Sequence, residues 1–250
     1  MLWGRYASQA SEARYPQLWQ GRVFAACPSA QGPAGLNLYD LSGRGRHATL
    51  NNMDAPTDWL RSTGRFALDM DGSNDFVQFP ATTAATQQTV SIHVSLRTAG
   101  VIVGGGNDTY ALYVDPLSAT GSVYYAASSG VFVSVVHGGL ASQWAHLAVV
   151  RSGLSVTFFK NGIQIGATRT LGSNTAQSLT YIAREGNGYN SSMQWDDVAV
   201  YNRGLTAGEI RLLATRRGIA YEARRDIVVG SSGFSAYWAR RQNQIIGGGV

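Results

Sequence analysis

The chain has 250 residues, 44% hydrophobic and 14% charged, with 30 glycines, a composition that fits one large all-β domain with flanking arms. No apolar run approaches the ~20 residues of a bilayer-spanning helix, and the single Cys27 excludes an intrachain disulfide or a multi-cysteine metal site and reads as a small buried hydrophobe. The net charge of +5 is uneven: through residue 210 twelve Arg and Lys160 balance thirteen acids, whereas from 211 to 250 seven Arg face only Glu222 and Asp226.

Residues 1–21 scatter Trp3, Tyr6, Tyr15 and Trp19 among polar residues, too irregularly for a strand, and are expected to pack on the domain or on a partner. The first strand is expected at residues 22–26, after which Pro28, Gly32, Pro33 and Gly35 break the chain. Asp40 precedes a Ser-Gly turn whose N–H groups its carboxylate can accept, and His47 reads as structural or surface-lying. Asp69, Asp71 and Asp75 fall within seven residues around Gly72. They fail the EF-hand spacing, because neither register has Gly at the sixth position. Turn formation is the preferred reading, and a calcium site using Asp75 with Asn74 is the alternative.

Residues 89–96 alternate, with Val90, Ile92, Val94 and Leu96 inward and Ser91, His93 and Ser95 outward, which places His93 on a solvated face or a concave groove. Residues 104–108, Gly-Gly-Gly-Asn-Asp, resemble a phosphate loop, but a strand pattern follows instead of a helix start, so a hairpin turn accounts for the glycines. Short strands are expected at 122–127 and 131–136. On the next strand Trp144 and His146 share a face. No motif supplies a nucleophile or acid for His146, so it reads as structural. Asn161-Gly162 is a type I′ hairpin turn, and another strand is expected at 178–183.

From Trp195, strict alternation puts Trp195, Asp197, Ala199 and Tyr201 on one face and Asp196, Val198 and Val200 on the other. A short helix follows. Thr206 and Glu209 form a capping box, Leu205 and Ile210 a hydrophobic staple, and Gly218 after Arg216 and Arg217 is the expected C-cap.

The run Asp196-Asp197-Val198, Tyr201-Asn202-Arg203, Leu205-Thr206, Glu209-Ile210 resembles the closing pattern of the laminin-G-like, concanavalin-A-like lectin/glucanase family. Residues 36–50, 66–77, 144–151 (Trp-x-His-x-Ala-x-Val-Arg in outline) and 156–166 resemble further elements of it, the second of these being a hairpin in the family. The resemblance implies a two-sheet antiparallel jelly-roll sandwich with one short C-terminal helix. The expected organisation is an N-terminal arm at 1–21, the sandwich at 22–217 and an Arg/aromatic C-terminal arm at 218–250. The tail around Trp238 resembles tails on laminin-G-like proteins of bacterial viruses and some environmental bacteria.

Three functions follow. A glycoside hydrolase of this fold needs two carboxyls ~5–5.5 Å apart. Glu12, Glu185, Glu209 and Glu222 are unpaired, and alternation points Asp196 and Asp197 apart, so no catalytic activity is expected. A lectin-like module would use Tyr110, Tyr113, Tyr124, Tyr125 or Tyr189 for sugar stacking. The leading expectation is a bacteriophage virion structural protein, a capsid decoration or fibre-type subunit. It would be made in the host cytoplasm without a signal peptide, homo-oligomeric and surface-exposed, with weak adhesion to host glycans and no membrane or nucleic-acid partner. Its attachment residues would be Trp3, Trp19, Arg224, Arg225, Tyr237, Trp238, Arg240 and Arg241.

Overall fold

Among the described residues, two eight-stranded antiparallel sheets face each other. The first runs β14 (Ile163–Thr170), β13 (Ser155–Lys160), β12 (Trp144–Ser152), β7 (Gln87–Leu96), β16 (Ser192–Tyr201), β5 (Arg65–Asp71) and β4 (Trp59–Ser62), with β1 (Arg22–Ala26) also paired to β16. The second runs β11 (Val131–Val136), β10 (Ser122–Ser128), β9 (Tyr110–Asp115), β8 (Gly100–Gly105), β15 (Leu179–Ile182), β6 (Phe76–Gln78), β3 (Ala48–Asn51) and β2 (Asn37–Leu38). This is the sandwich expected from the alternating patterns. The computed structural model describes residues 13–62 and 64–222. Two single-turn helices, α1 (Pro28–Gln31) and α2 (Ala55–Asp58), join the longer α3 (Ala207–Leu213). Each single turn carries Pro in its first positions, where the missing N–H costs nothing.

The main core lies between the sheets. Phe24 of β1 stacks on Phe79, beyond β6, with ring centroids 4.0 Å apart. Trp195, Met70, Ile92, Leu112 and Val123 fill the space around them. A second apolar cluster lies on the outer side of the first sheet. There Ala25, Ala148, Phe159 and Tyr201 meet Leu205, Ile210 and Leu213 around α3, together with Leu18, Ile219 and Ala220 from the two ends of the described chain. The first sheet is therefore covered on both sides, which is why nine of the ten residues of β16 are buried. Each large side chain so buried contributes roughly 1.5–3 kcal/mol.

Strict alternation fails at one point in β16. Its first half pairs with β5 (Trp195 opposite Leu68) and its second half with β1 (Val198 opposite Ala26), and the register against β7 shifts between Asp196 and Ala199. Asp197 takes φ +50° at this bulge. One residue is thereby inserted, so Trp195 shares the main core with Val198 and Val200, whereas Ala199 and Tyr201 belong to the outer cluster. The expected facing of Trp195 with Ala199 and Tyr201 is corrected accordingly. Asp196 and Asp197 lie on the same side. Asp196 accepts the Ser29 N–H at 3.0 Å and Asp197 the Gly218 N–H at 2.7 Å.

Two other expectations change. Residues 66–77 do not form a hairpin: β5 pairs with β16 and β4, β6 with β15 and β3, and the turn between them crosses from one sheet to the other. The capping box forms, with Glu209 N–H donating to Thr206 Oγ1 at 3.2 Å and Thr206 N–H to Glu209 Oε2 at 2.8 Å. However, α3 ends at Leu213 with Ala214 as its cap, and its last-turn cation is Arg211. Gly218, at φ +75°, instead starts the 3-10 turn Ile219–Tyr221 and gives its N–H to Asp197. Packing also runs past both expected domain boundaries. Arg14 N–H donates to the Glu222 carbonyl at 2.8 Å, so entry and exit of the described chain lie side by side.

Candidate functional site

The outer side of the second sheet carries a row of aromatic rings. Register places Tyr113 opposite Tyr124, and Ala126 opposite both Tyr110 and Phe132. Ring centroids step 5.2 Å from Tyr110 to Tyr113, 5.5 Å to Tyr124 and 6.4 Å to Phe132. The three tyrosines are partly exposed and Phe132 is 56% exposed. Burial, then Tyr113 and Tyr124, pushes the Tyr110 hydroxyl up to about 12, so it stays protonated near neutral pH. At one end, Glu185 accepts the Asp108 N–H at 2.8 Å and the Asn187 N–H at 3.0 Å, and Asn187 donates to Asp108 at 2.9 Å. The next segment brings Tyr189, 66% exposed, near Tyr113. The glycines of β8 permit this closure: a Cβ on Gly104 would strike the Arg184 carbonyl.

The outer side of the first sheet holds a cavity of about 280 Å³ lined by Arg65, Arg216, Arg217, Trp144 and His93 among others. His93 is 7% exposed and lines this cavity, so of the two expectations the solvated face gives way to the concave groove, beneath the chain after α3. Neither ring nitrogen of His93 completes a hydrogen bond, although the Ala214 backbone lies near. Burial first, then Arg217, pushes its pKa down to about 4. The His146 ring nitrogen Nε2 lies 2.8 Å from Ser91 Oγ, the hydroxyl partner that sequence motifs did not disclose. Both residues are 2% exposed and Nδ1 of His146 has no partner, so no third group orients the ring for catalysis. Burial, then His93, holds His146 well below the ordinary histidine range.

Residues 71–211, more than half of the chain, match the laminin-G-type family model described as the concanavalin A-like lectin/glucanases superfamily. The chain belongs to this family. Among curated proteins none matches its sequence significantly. Similar solved structures include domain 4 of AbnA, a GH43 extracellular arabinanase from Geobacillus stearothermophilus, in complex with arabinotriose (TM-score 0.59, 15% identity, 78% of this chain and 98% of that one). The binding domain of botulinum neurotoxin serotype D (0.59, 10% identity, 79% and 52%) and Trypanosoma rangeli sialidase (0.55, 17% identity, 78% and 32%) are others. The chain thus spans about half of the toxin domain and a third of the sialidase, and at these identities the likeness shows the fold alone.

Within this family frame, the tyrosines singled out from sequence divide. Tyr110, Tyr113, Tyr124 and Tyr189 come to one surface. Tyr125 is excluded from it, because alternation along β10 turns it into the core, where its Oη accepts from Gln88 at 2.7 Å and Arg151 at 3.0 Å. Phe132 was missed; its outward position on β11 follows from register, which no local motif announces. Of the attachment residues, Trp3, Arg224, Arg225, Tyr237, Trp238, Arg240 and Arg241 lie outside the described residues. Trp19 packs on the domain itself: its Nε1 donates to the Ala220 carbonyl at 2.9 Å, and its ring meets Tyr221 edge-on. Trp19, Tyr201 and Tyr221 surround the buried Arg22 guanidinium at 4.9, 5.6 and 5.1 Å. Arg203, part of the closing pattern noted in the sequence, clamps Glu209 with both terminal nitrogens, at 3.1 and 2.6 Å.

The remaining carboxylates are engaged locally. Asp40 accepts the N–H groups of Ala25, Ser42 and Arg46, and the exposed His47 accepts the Asp40 N–H. Asp75 accepts the Asp71 N–H at 3.1 Å, and Asp71 those of Ser73 and Asn74. Among the described residues no three His, Cys, Asp or Glu side chains converge in a metal-binding group, around Asp75 and Asn74 or elsewhere. Asp196 and Asp197 sit together against expectation, yet they are 0% and 4% exposed and neither lines the cavity. Cys27 is fully buried, its Sγ 3.5 Å from Asp196.

Proposed function

We propose that this chain is a non-catalytic carbohydrate-binding module. Its binding surface is the aromatic row Tyr110, Tyr113, Tyr124 and Phe132, with Tyr189 at the margin. The carrying observation is that row itself: four rings stepping 5.2–6.4 Å across three strands of a sheet whose outer side no other segment of the described chain covers. Apolar faces with polar hydroxyl tips suit a sugar, whose C–H faces stack and whose hydroxyls hydrogen-bond. The arabinotriose-bound arabinanase domain, matched over nearly its whole length, supports the reading. Catalysis would need an accessible carboxyl pair, and the described glutamates are spent on backbone amides, a helix cap and Arg216. A glycan array followed by titration tests this. Tyr113→Ala with Tyr124→Ala should weaken the best ligand about tenfold or more, roughly 1.4 kcal/mol, with circular dichroism unchanged. Retention of no glycan at millimolar concentration counts against the module.

A second reading makes the chain a virion structural subunit seated through its flanks. The Arg surplus beyond residue 210 and the juxtaposition of Arg14 with Glu222, on the face opposite the aromatic row, favour it. One pole would then attach while the other recognises. Deleting residues 223–250 should leave a folded sandwich that no longer enters particles; undiminished incorporation would sink the idea.

A further inference from the structure

The cavity on the first sheet plays no part in sugar stacking, and its lining is chemically one-sided. Arg65 of β5 and Arg216 and Arg217 beyond α3 bring guanidinium groups, His93 and His146 bring imidazoles, and Asn161 and Thr215 bring an amide and a hydroxyl. Among the described residues no carboxylate lines it. The acids that answer these arginines stand outside: Glu222 pairs with Arg216, and Asp196, with no exposed surface, lies 3.7 Å from Arg217. The Asn161 side-chain oxygen accepts the His146 backbone N–H at 2.9 Å, which leaves its NH₂ group as the donor end. The Arg217 guanidinium lies 4.2 Å over the Trp144 ring, so one planar fork is held against a flat wall. Arg65 Nη1 donates to the Arg217 carbonyl at 2.8 Å, which positions a second fork and leaves its other N–H groups unspent.

His93 supplies an independent observation. Its imidazole is 7% exposed with neither nitrogen hydrogen-bonded, and a buried polar ring in that state carries a desolvation cost that a partner would remove. Guanidinium forks match carboxylate and phosphate oxygens geometrically, and the charge-assisted bonds they make are about twice as strong as neutral ones. The cavity, about 280 Å³, holds on the order of nine water volumes and lies near the small end of ligand pockets.

We propose that this cavity binds a small oxyanion, a carboxylate or phosphate group on a molecule no larger than a monosaccharide, recognised by Arg65, Arg216, His93 and the Asn161 amide. The ligand supplies acceptors to Arg65, Arg216, His93 and the Asn161 amide. The site stands apart from the aromatic row and does not depend on it.

The test uses the full chain. Sodium phosphate and sodium glucuronate are titrated separately at constant ionic strength, with calorimetry and the ring signals of His93 and His146 read by NMR. The expected result is one saturable site with both imidazoles shifting, weakened about tenfold by Arg216→Gln and by His93→Asn and unchanged by Tyr113→Ala. Tighter phosphate binding assigns a phosphorylated ligand, and tighter glucuronate binding a sugar acid; either supports the site. Should His93→Asn not fold, Arg216→Gln decides, since that side chain is 49% exposed. Rings unmoved by both probes, or an affinity indifferent to Arg216→Gln in a folded variant, overturns the proposal.

Discussion

On the first sheet the outward side chains of β7, β12 and β16 are covered by α1, α3 and the segments around Trp19 and Tyr221. On the second sheet no other described segment covers the outward side chains of β9, β10 and β11. Both faces start from the same two-residue alternation. Covering one of them turns polar residues into buried ones with displaced protonation: His93, His146 and Asp197 all depart from their ordinary ranges there. The open face leaves aromatic rings half in water, where they can exchange that water for a ligand. One side of the domain therefore carries most of the electrostatic strain, and the other carries the surface available for recognition.

The contrast can be broken most strongly at Trp19. Trp19→Ala removes one wall of the Arg22 enclosure and the bond to Ala220, and should destabilise the fold by about 2–3 kcal/mol in urea unfolding, while sugar affinity of the folded fraction is unchanged. A loss below 1 kcal/mol would mean that the segment merely rests on the sheet.

Protons sharpen the comparison next. Burial, then Asp196, raises Asp197 to about 7, above its unfolded value of 3.8. The stability it contributes is present below pH 4 and is lost as pH climbs through 7. His93, lowered to about 4 from 6.5, has the opposite sign: its contribution is present above pH 6.5 and is lost as pH falls to 4. Asp197→Asn should accordingly abolish the alkaline loss, on the order of a few kcal/mol, and leave a curve that rises with pH between 4 and 6.5. An unaltered pH profile from chemical denaturation contradicts this assignment.

Smaller effects separate the faces further. Thr206→Ala removes the cap of α3 on the covered side and should cost about 1 kcal/mol, read as a lowered midpoint of thermal unfolding. Phe132→Ser on the open side should shift stability by no more than ~0.5 kcal/mol yet reduce glycan affinity measurably. If Phe132→Ser instead proves the more destabilising of the two, the open face has a packing role.

Much of this was readable before any tertiary contact was known. Hydrophobic alternation located most strands, Asn161-Gly162 set a hairpin, Asp40 with Ser42 set a turn, and Thr206 with Glu209 set a cap, because each depends on residues a few positions apart. The same locality misled at β16, where two partner strands share one edge and the bulge between them turns Asp196 and Asp197 to one side. It misled again at residues 66–77, where an arch between sheets looks locally like a hairpin.

By itself, then, the sequence determined a two-layered all-β family domain with a neutral body and a basic end, through periodicity, turn chemistry and charge. Tertiary structure alone decided which outward face is covered, that Trp19 encloses Arg22, that Ser91 meets His146, and that Phe132 completes a row begun by Tyr110. The Ser91–His146 contact joins strand residues 55 positions apart, and the segment of Trp19 is held by a bond to Ala220, 201 positions away; cross-strand register and the path of the flanking segments are set by global packing that no short window of residues contains.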